Sequence, residues 1–136
     1  MAAGTHTLTE HRVPKPNPLG EIETAWVGST DDGTVPTLSV TFPYDSELLS
    51  IFTDAIASAQ DNYDITLVDA NSFDRLQGSG ADRDTVNPEE AAIVFASTSI
   101  HPVVRSGEAM ALTLGGNNDT SSSGTIIIRY RALPQV

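Results

Sequence analysis

The clearest alternation of apolar and polar positions runs from Tyr63 to Asp69, with the sequence YDITLVD. Every second position from Tyr63 onward is a large apolar residue, and the side chains of a β-strand point alternately to its two faces. Aromatic and β-branched residues also favour strands. The stretch therefore predicts a strand that turns Tyr63, Ile65 and Leu67 into a core. We expect it to be the central strand around which the rest of the chain is organised.

Similar patterns predict most of the remaining strands, at residues 21–27, 37–42, 109–114 and 125–131. Residues 47–56 fit a helical stripe as well as a strand, and we favour a strand near Leu48–Thr53 because strand patterns lie on both sides. Pro102 indicates an edge strand at residues 100–105, since proline has no backbone N–H to donate inside a sheet.

The stretches between these strands have mixed patterns. Residues 87–90, Asn-Pro-Glu-Glu, resemble the start of a helix, and the AAIVFAST that follows is compatible with one short helix or a buried strand. The long acidic loop over residues 69–84 is expected to be anchored by Phe73 and Leu76, which dip back into the core. The polar loop over residues 115–124 has no apolar side chain, so we expect it to be exposed.

About seven short strands joined by turns rich in Gly, Asn, Asp and Ser predict an all-β fold, either an antiparallel β-sandwich or a jelly roll. The consecutive Ile126–Ile128 in the final strand indicate burial on both faces, or packing of one face against a partner chain. Residues 21–136 are therefore assigned to one β-sandwich domain. Residues 1–20 are assigned to an extended N-terminal arm, because its three prolines between positions 14 and 18 exclude a helix or an interior strand. We expect this arm to be either disordered or ordered on another surface.

The composition narrows the possible partners. The formal charge of −11, from 7 basic and 18 acidic residues, disfavours direct binding to nucleic acid, which needs clustered Lys and Arg. Because cysteine is absent, the chain has neither disulfides nor thiolate metal sites. No apolar run of about 18 residues predicts a membrane span, and the N-terminus lacks the apolar region of a secretory signal.

No residue pattern predicts a catalytic, cofactor or metal site. The chain has three histidines without metal-ligand spacing: His6, His11 and His101. The loop that opens at Asp69 begins like an EF-hand, but its sixth and twelfth positions are Asp74 and Gly80 instead of the required Gly and Glu. Trp26 occupies an alternating strand position, which is more typical of a core residue than of a sugar-stacking platform.

Several stretches carry a resemblance to a known family. A strand ending at Trp26-Val27 is followed by a glycine-containing turn, and YDITLVD is followed by an acidic loop that ends with GSGADR at residues 78–83. The chain closes with GTIIIRY at residues 124–130. Together, over about residues 20–132, these stretches resemble small head decoration (cement) or minor structural proteins of tailed double-stranded-DNA phages. The shared motifs are structural and not catalytic.

The resemblance implies a jelly roll or sandwich that binds the outer surface of the phage head, bridges major capsid subunits and stabilises the shell without enzymatic activity. The expected partners are the major capsid protein and further copies of the chain, as dimers or trimers. The expected location is the capsid surface of the virion, after synthesis in the host cytoplasm. The residues expected to contact the capsid or a neighbouring subunit are Arg12, Val13, Pro14, Lys15, Pro16, Pro18 and Leu19. The residues expected in the core or at an oligomer interface are Ile126, Ile128 and Tyr130.

Two other functions are compatible with the sequence. A tail- or fibre-associated β-domain that binds a receptor or carbohydrate would present an exposed aromatic platform around Trp26 or Tyr44. A small hydrolase would hold two carboxylates facing each other in a cleft.

Overall fold

The computed structural model describes residues 3–14, 17–57, 63–81, 83, 87–116, 120 and 122–134. Within these residues the regular secondary structure consists of nine β-strands, without a helix. The strands are β1 (Thr5–Arg12), β2 (Leu19–Val27), β3 (Leu38–Val40), β4 (Ser46–Ala57), β5 (Asp64–Val68), β6 (Glu89–Ala92), β7 (Val103–Val104), β8 (Met110–Gly115) and β9 (Ser123–Ala132).

The strands form two antiparallel sheets, which confirms the predicted β-sandwich. The larger sheet has the order β1-β2-β9-β4-β6, with β7 also paired to β4, and the smaller sheet has the order β3-β8-β5. Buried side chains from both sheets belong to one core. The rings of Trp26 on β2 and Tyr63, next to β5, are 5.4 Å apart, so the inner faces of the two sheets are in direct contact.

The central strand of the larger sheet is β9. It pairs with β2 on one side and with β4 on the other. Ile126, Ile128 and Tyr130 alternate along β9 and are almost completely buried. The stretch that fitted either a helix or a strand is the long strand β4, as we favoured. β4 pairs with β9 along one edge and with β6 and β7 along the other.

The YDITLVD stretch faces the core as predicted but does not lie at the centre of a sheet. Tyr63, Ile65 and Leu67 are buried. However, β5 is an edge strand of the smaller sheet, so the prediction of a central strand is wrong. Its free edge is covered by the backbone of the following loop, because Arg75 N donates to Leu67 O at 2.7 Å and Ile65 N donates to Gly80 O at 2.8 Å. Local alternation determines the inward face of a strand, whereas its neighbours depend on distant residues.

The N-terminal segment differs from the predicted arm. Residues 5–12 form β1, which pairs with β2 from Thr5 opposite Val27 to Arg12 opposite Glu21. The polar, threonine-rich sequence THTLTEHR suits a solvent-exposed edge strand, and the prolines fall in the connection after it. The assigned boundary after residue 20 lies inside β2.

The helix start that residues 87–90 resemble does not lead into a helix, and of the two alternatives left open for the stretch after it the structure shows a strand. Glu89–Ala92 is strand β6, which pairs with residues 50–53 of β4. The AAIVFAST sequence therefore begins in a strand, and its Ile93 is buried while Phe95 is exposed. The pairing edge that β4 offers outweighs the local capping signal.

The two long loops are each only partly as predicted. In the acidic loop Leu76 is buried, but Phe73 is 63% exposed, so the second predicted anchor is wrong. Residues 115–124 are not wholly exposed, because Ser122 is buried and Gly124 is a buried residue at the start of β9.

Two glycines make room for the largest aromatic side chains of the core. Gly124 is opposite Trp26 and Gly20 is opposite Tyr130 in the pairing of β2 with β9. A Cβ atom on Gly124 would lie 2.6 Å from the Trp26 ring, and a Cβ atom on Gly20 would lie 2.5 Å from the Tyr130 ring. Each ring therefore lies over a glycine on the neighbouring strand, where any other residue would displace it.

Arg83 is a buried arginine that connects the two sheets. Its Nε donates to Thr53 Oγ1 on β4 at 2.8 Å, its Nη1 to Ser79 O at 2.9 Å and its Nη2 to Glu89 O on β6 at 3.1 Å. Its backbone N donates to Tyr63 O, next to β5, at 2.8 Å. The side chain is thus bound to the larger sheet and the main chain to the smaller one.

We expect Arg83→Met to lower the free energy of unfolding by about 3 kcal/mol, because the buried Thr53 hydroxyl and the partly buried carbonyl oxygens of Ser79 and Glu89 lose a charged donor. Urea unfolding followed by circular dichroism measures this loss. The matched control is Arg131→Met, which removes a half-exposed guanidinium paired with Glu47. A surface pair of this kind contributes less than about 1 kcal/mol. Equal losses in both variants would contradict the role given to Arg83.

We expect Gly124→Ala to lower the free energy of unfolding by about 2 kcal/mol, since the new methyl group displaces the Trp26 ring and also meets Asp54 O at 2.8 Å. Gly115→Ala serves as the control, because no atom lies within 4 Å of its added Cβ. That variant should be unchanged or more stable by up to about 1 kcal/mol. Thermal unfolding of both proteins gives the comparison, and a neutral Gly124→Ala would refute the packing.

Candidate docking site at the end of the N-terminal strand

The residues expected to contact the capsid lie where β1 ends and β2 begins. Arg12 is the last residue of β1, and Leu19 is the first residue of β2. The side chains of Val13 and Leu19 are apolar and about half exposed, at 48% and 52%. Pro14 is buried and Pro18 is exposed, and Pro18 O accepts a hydrogen bond from Ala132 N at 2.8 Å. Lys15 and Pro16 lie outside the described residues.

A shallow pocket of about 370 Å³ opens beside this connection. We call it the arm-end pocket. Its lining residues are Arg12, Leu19, Gly20, Glu21, Leu49, Arg129 and Tyr130. The pocket therefore brings together two residues predicted to contact a neighbour, Arg12 and Leu19, with one residue predicted for the core or an interface, Tyr130. Its apolar side chains, Leu19 and Leu49, come from β2 and β4.

The two arginines of the arm-end pocket are neutralised by carboxylates of the same chain. Glu21 accepts from Arg129 Nε at 2.8 Å and lies 3.5 Å from Arg12 Nη1. Arg129 also pairs with Glu90, which accepts a hydrogen bond from Ser50 at 2.7 Å. The Ser50 hydroxyl and the Arg129 guanidinium hold the pKa of Glu90 below its usual value, and Glu21 raises the pKa of Arg129. With both guanidiniums engaged, the pocket suits an uncharged apolar side chain better than an anion.

Ile126, Ile128 and Tyr130 all lie in the core of a single chain. The Tyr130 ring packs edge-on against Phe42, with 4.9 Å between the ring centroids. Its hydroxyl is hydrogen-bonded to His11 Nε2 at 2.7 Å. Burial raises the pKa of Tyr130 to about 12. Tyr130 thus reaches from the core to β1.

Two histidines attach β1 to the rest of the sandwich. His6 is buried, and its Nδ1 donates to Pro36 O at 3.1 Å, which leaves Nε2 to accept from the Thr24 hydroxyl at 3.1 Å. When the imidazole is neutral, this arrangement places its proton on Nδ1. Burial lowers the pKa of His6 and the pKa of His11 below the ordinary value of histidine. Among the described residues that hydrogen-bond to the two rings, the only titratable group is the Tyr130 phenol, so none of these partners is a carboxylate that could compensate a positive charge.

The acids of the loop after β5 organise the loop itself. Asp69 is buried and accepts hydrogen bonds from Asn71 N at 2.9 Å, Phe73 N at 3.1 Å and Arg75 Nε at 2.7 Å. Burial alone would raise the pKa of Asp69, but these hydrogen bonds and the charge of Arg75 hold it below its ordinary value. Asp74 likewise accepts from three backbone N–H groups. In the described part of the chain, no group of three or more His, Asp or Glu residues could hold a metal ion.

The alternative functions lose part of their expected geometry. Trp26 is only 1% exposed and packs on Tyr63, so the platform expected around Trp26 is wrong, while Tyr44 is partly exposed. The arm-end pocket contains one carboxylate, that of Glu21, and not a facing pair.

The third histidine, His101, contacts the backbone of the same chain. His101 Nδ1 is hydrogen-bonded to Ile93 O at 2.7 Å.

Comparisons with known proteins give a match in structure but none in sequence. No protein family and no curated protein matches the sequence. A chain of the cyanophage Pam1 capsid asymmetric unit is similar in structure, with 19% identity, a TM-score of 0.45, and coverage of 85% of this chain and 84% of that chain. At this identity and TM-score, the match shows neither a partner nor a function of the chain. The described residues contain no helix that could span a membrane.

Several residues of the site were not predicted from the sequence. Leu49, Gly20 and Glu21 come to the arm-end pocket only through the pairing of β2 with β9 and of β9 with β4. Arg129 had a usable signal, because it alternates with the buried Ile128 and Tyr130 and must therefore point away from the core.

We expect the stability of the protein to fall as the pH is lowered from 7.5 to 5. The folded-state pKa values of His6 and His11 are lowered, so their contribution is complete above the unfolded-state pKa of about 6.5 and is lost as the pH falls below it. Urea unfolding at several pH values measures the slope. The His6→Gln/His11→Gln double variant should show a smaller slope over this range, whatever its absolute stability. Parallel slopes would contradict the assignment.

Proposed function

We propose that this chain is a structural protein of a phage virion, a decoration (cement) protein that binds the outer surface of the head. In this role it bridges major capsid subunits and stabilises the shell, and it acts by binding alone. The observation that supports the proposal most strongly is the arm-end pocket with its exposed apolar neighbours, Val13 and Leu19. It lies at the same segment that the sequence assigns to capsid contact. The virion-protein resemblance of YDITLVD and GTIIIRY provides independent support.

The apolar residues supply a surface that a partner can bury. Val13 and Leu19 are each about half exposed, and Leu49 extends the apolar area into the arm-end pocket. Full burial of a Val or Leu side chain stabilises a complex by about 1.5–3 kcal/mol. An aliphatic side chain from the capsid surface fits a pocket of this lining.

Charge favours a basic protein surface as the partner. Five of the arginines are paired with carboxylates of the same chain: Arg12, Arg75, Arg83, Arg129 and Arg131. Acidic residues outnumber basic residues by 18 to 7, which gives the formal charge of −11. Long-range attraction to a basic capsid surface would accelerate association and weaken as salt is added. One modest contact per copy is sufficient, because a regular lattice combined with an oligomer multiplies the affinity.

Particle imaging tests the proposed location. We expect electron cryomicroscopy of the phage that encodes the chain to show β-sandwich density on the outside of the head, in contact with neighbouring capsid subunits. Heads stripped of the protein should release their DNA at a lower temperature, and added protein should restore the original value. Density on the tail or a fibre would contradict the proposal and favour the receptor-binding alternative.

Point substitutions test the contact surface, because deletion of residues 1–20 would also remove β1 and the start of β2. We expect Val13→Asp/Leu19→Asp to reduce the apparent affinity for stripped heads at least tenfold, since two apolar contacts are replaced by charged groups. Bound copies per head, counted after sedimentation over a range of concentrations, provide the measurement.

The matched control is Phe73→Asp/Ile100→Asp, which adds the same two charges on apolar residues that are 63% and 61% exposed and do not line the arm-end pocket. Its affinity should equal that of the unchanged protein. If Val13→Asp/Leu19→Asp binds as well as this control, the arm-end surface is not the contact.

A further inference from the structure

β1 is attached to the sandwich along its pairing with β2, and we call this contact the β1–β2 seam. Within the described residues it forms a ladder with β2 only and lies at the edge of the larger sheet. His6 is its only buried side chain. By contrast, β2 contributes Ile22, Thr24 and Trp26 to the interior and pairs with β9 over nine residues. Within the described residues, the aromatic and aliphatic core therefore contains no side chain from β1.

The sequence that connects β1 to β2 is rich in proline. Three of the six residues from Val13 to Pro18 are proline, at positions 14, 16 and 18. Proline fixes its own backbone and biases the preceding residue to extended forms. Six extended residues span about 20 Å. Extended hinges next to an edge element are the usual setting for exchange of that element between identical chains.

We propose that β1 is an exchangeable strand, which can leave its own β2 and pair with β2 of a second copy of this chain in the register seen here. The chains are then joined by their N-terminal strands into a closed oligomer. This inference does not depend on the proposed capsid role, because it concerns the free protein.

The groups that β2 and its neighbours present to β1 match the sequence of β1. The strand that replaces β1 is therefore β1 of a second copy of the chain. His6 matches Pro36 O and the Thr24 hydroxyl, and His11 matches the Tyr130 hydroxyl. Gly4 fits closely against the backbone of the sandwich, because an added Cβ would clash with the carbonyl oxygen of Thr34. An unrelated strand would leave these polar groups without partners, whereas β1 of another copy reproduces every contact.

Disulfide trapping tests the proposal, because the chain has no cysteine of its own. Thr7 and Ala25 are partners in the pairing of β1 with β2. Thr7→Cys is introduced in one full-length chain, and Ala25→Cys in a second chain that carries a mass tag. The two are unfolded, mixed, refolded together at high concentration and oxidised. We expect a mixed disulfide between positions 7 and 25, identified by its mass and by its linked peptides.

The control mixture pairs Thr7→Cys with Thr125→Cys. Thr125 is the β9 partner of Ala25, one strand further away, at about 10 Å from Thr7, which is too far for a disulfide. We expect at least ten times more mixed disulfide in the 7–25 mixture than in this control. A Thr7→Cys/Ala25→Cys double variant should close within one chain when oxidised before unfolding, and it should then refold only to monomer.

Equal yields in the two mixtures, with a double variant that closes normally, would overturn the proposal. Edge-to-edge association of intact copies also counts against it, because that arrangement places β1 against β1 and leaves positions 7 and 25 apart. Light scattering adds a readout without cysteines. The refolded natural sequence should contain an oligomer, and monomer alone at every concentration would refute exchange.

Discussion

The fold depends on how the smaller sheet is closed on one side. A three-stranded sheet would leave β5 with an unpaired edge above a large core. The loop after β5 covers that edge with its own backbone, and buried Arg83 fixes the end of the loop to β4 and β6. Unpaired edges of buried strands are costly, because their N–H and C=O groups lose water without gaining a partner. The loop thus replaces a fourth strand, and one guanidinium holds it in place.

The same feature explains why sequence patterns predicted the faces of strands better than their neighbours. Alternation correctly placed Tyr63, Ile65 and Leu67 in the core, since burial of a side chain depends on a local period of two. The position of β5 at an edge depends on pairing with β8, some fifty residues later, and has no local signal. Arg83 has none either, because an arginine in a polar loop is usually solvated. β1 was assigned to an arm because of the three prolines that follow it. Its one buried side chain is His6, so no alternation of aliphatic residues marks it as a strand.

The candidate docking site combines local and distant contributions in the same way. Arg12 and Leu19 could be selected from the sequence because they flank a proline-rich segment. Leu49 and Arg129 join them only through the order of strands in the larger sheet. The charges of Arg12 and Arg129 are balanced by carboxylates of the same chain, so the apolar atoms are what the site offers to a partner. Recognition then depends mainly on shape and hydrophobic area, while the overall charge affects how quickly partners meet.

The burial of Trp26 over Gly124 gives the protein a built-in optical probe. Trp26 is the only tryptophan in the chain, and its backbone partner across the β1–β2 seam is His6. Its indole N–H has no hydrogen-bond partner within the described residues. Its fluorescence emission therefore reports on a dry, apolar environment that lies directly beside the seam. Separation of β1 from β2 would admit water to this environment and shift the emission to longer wavelength, so opening of the seam can be followed in real time without a label.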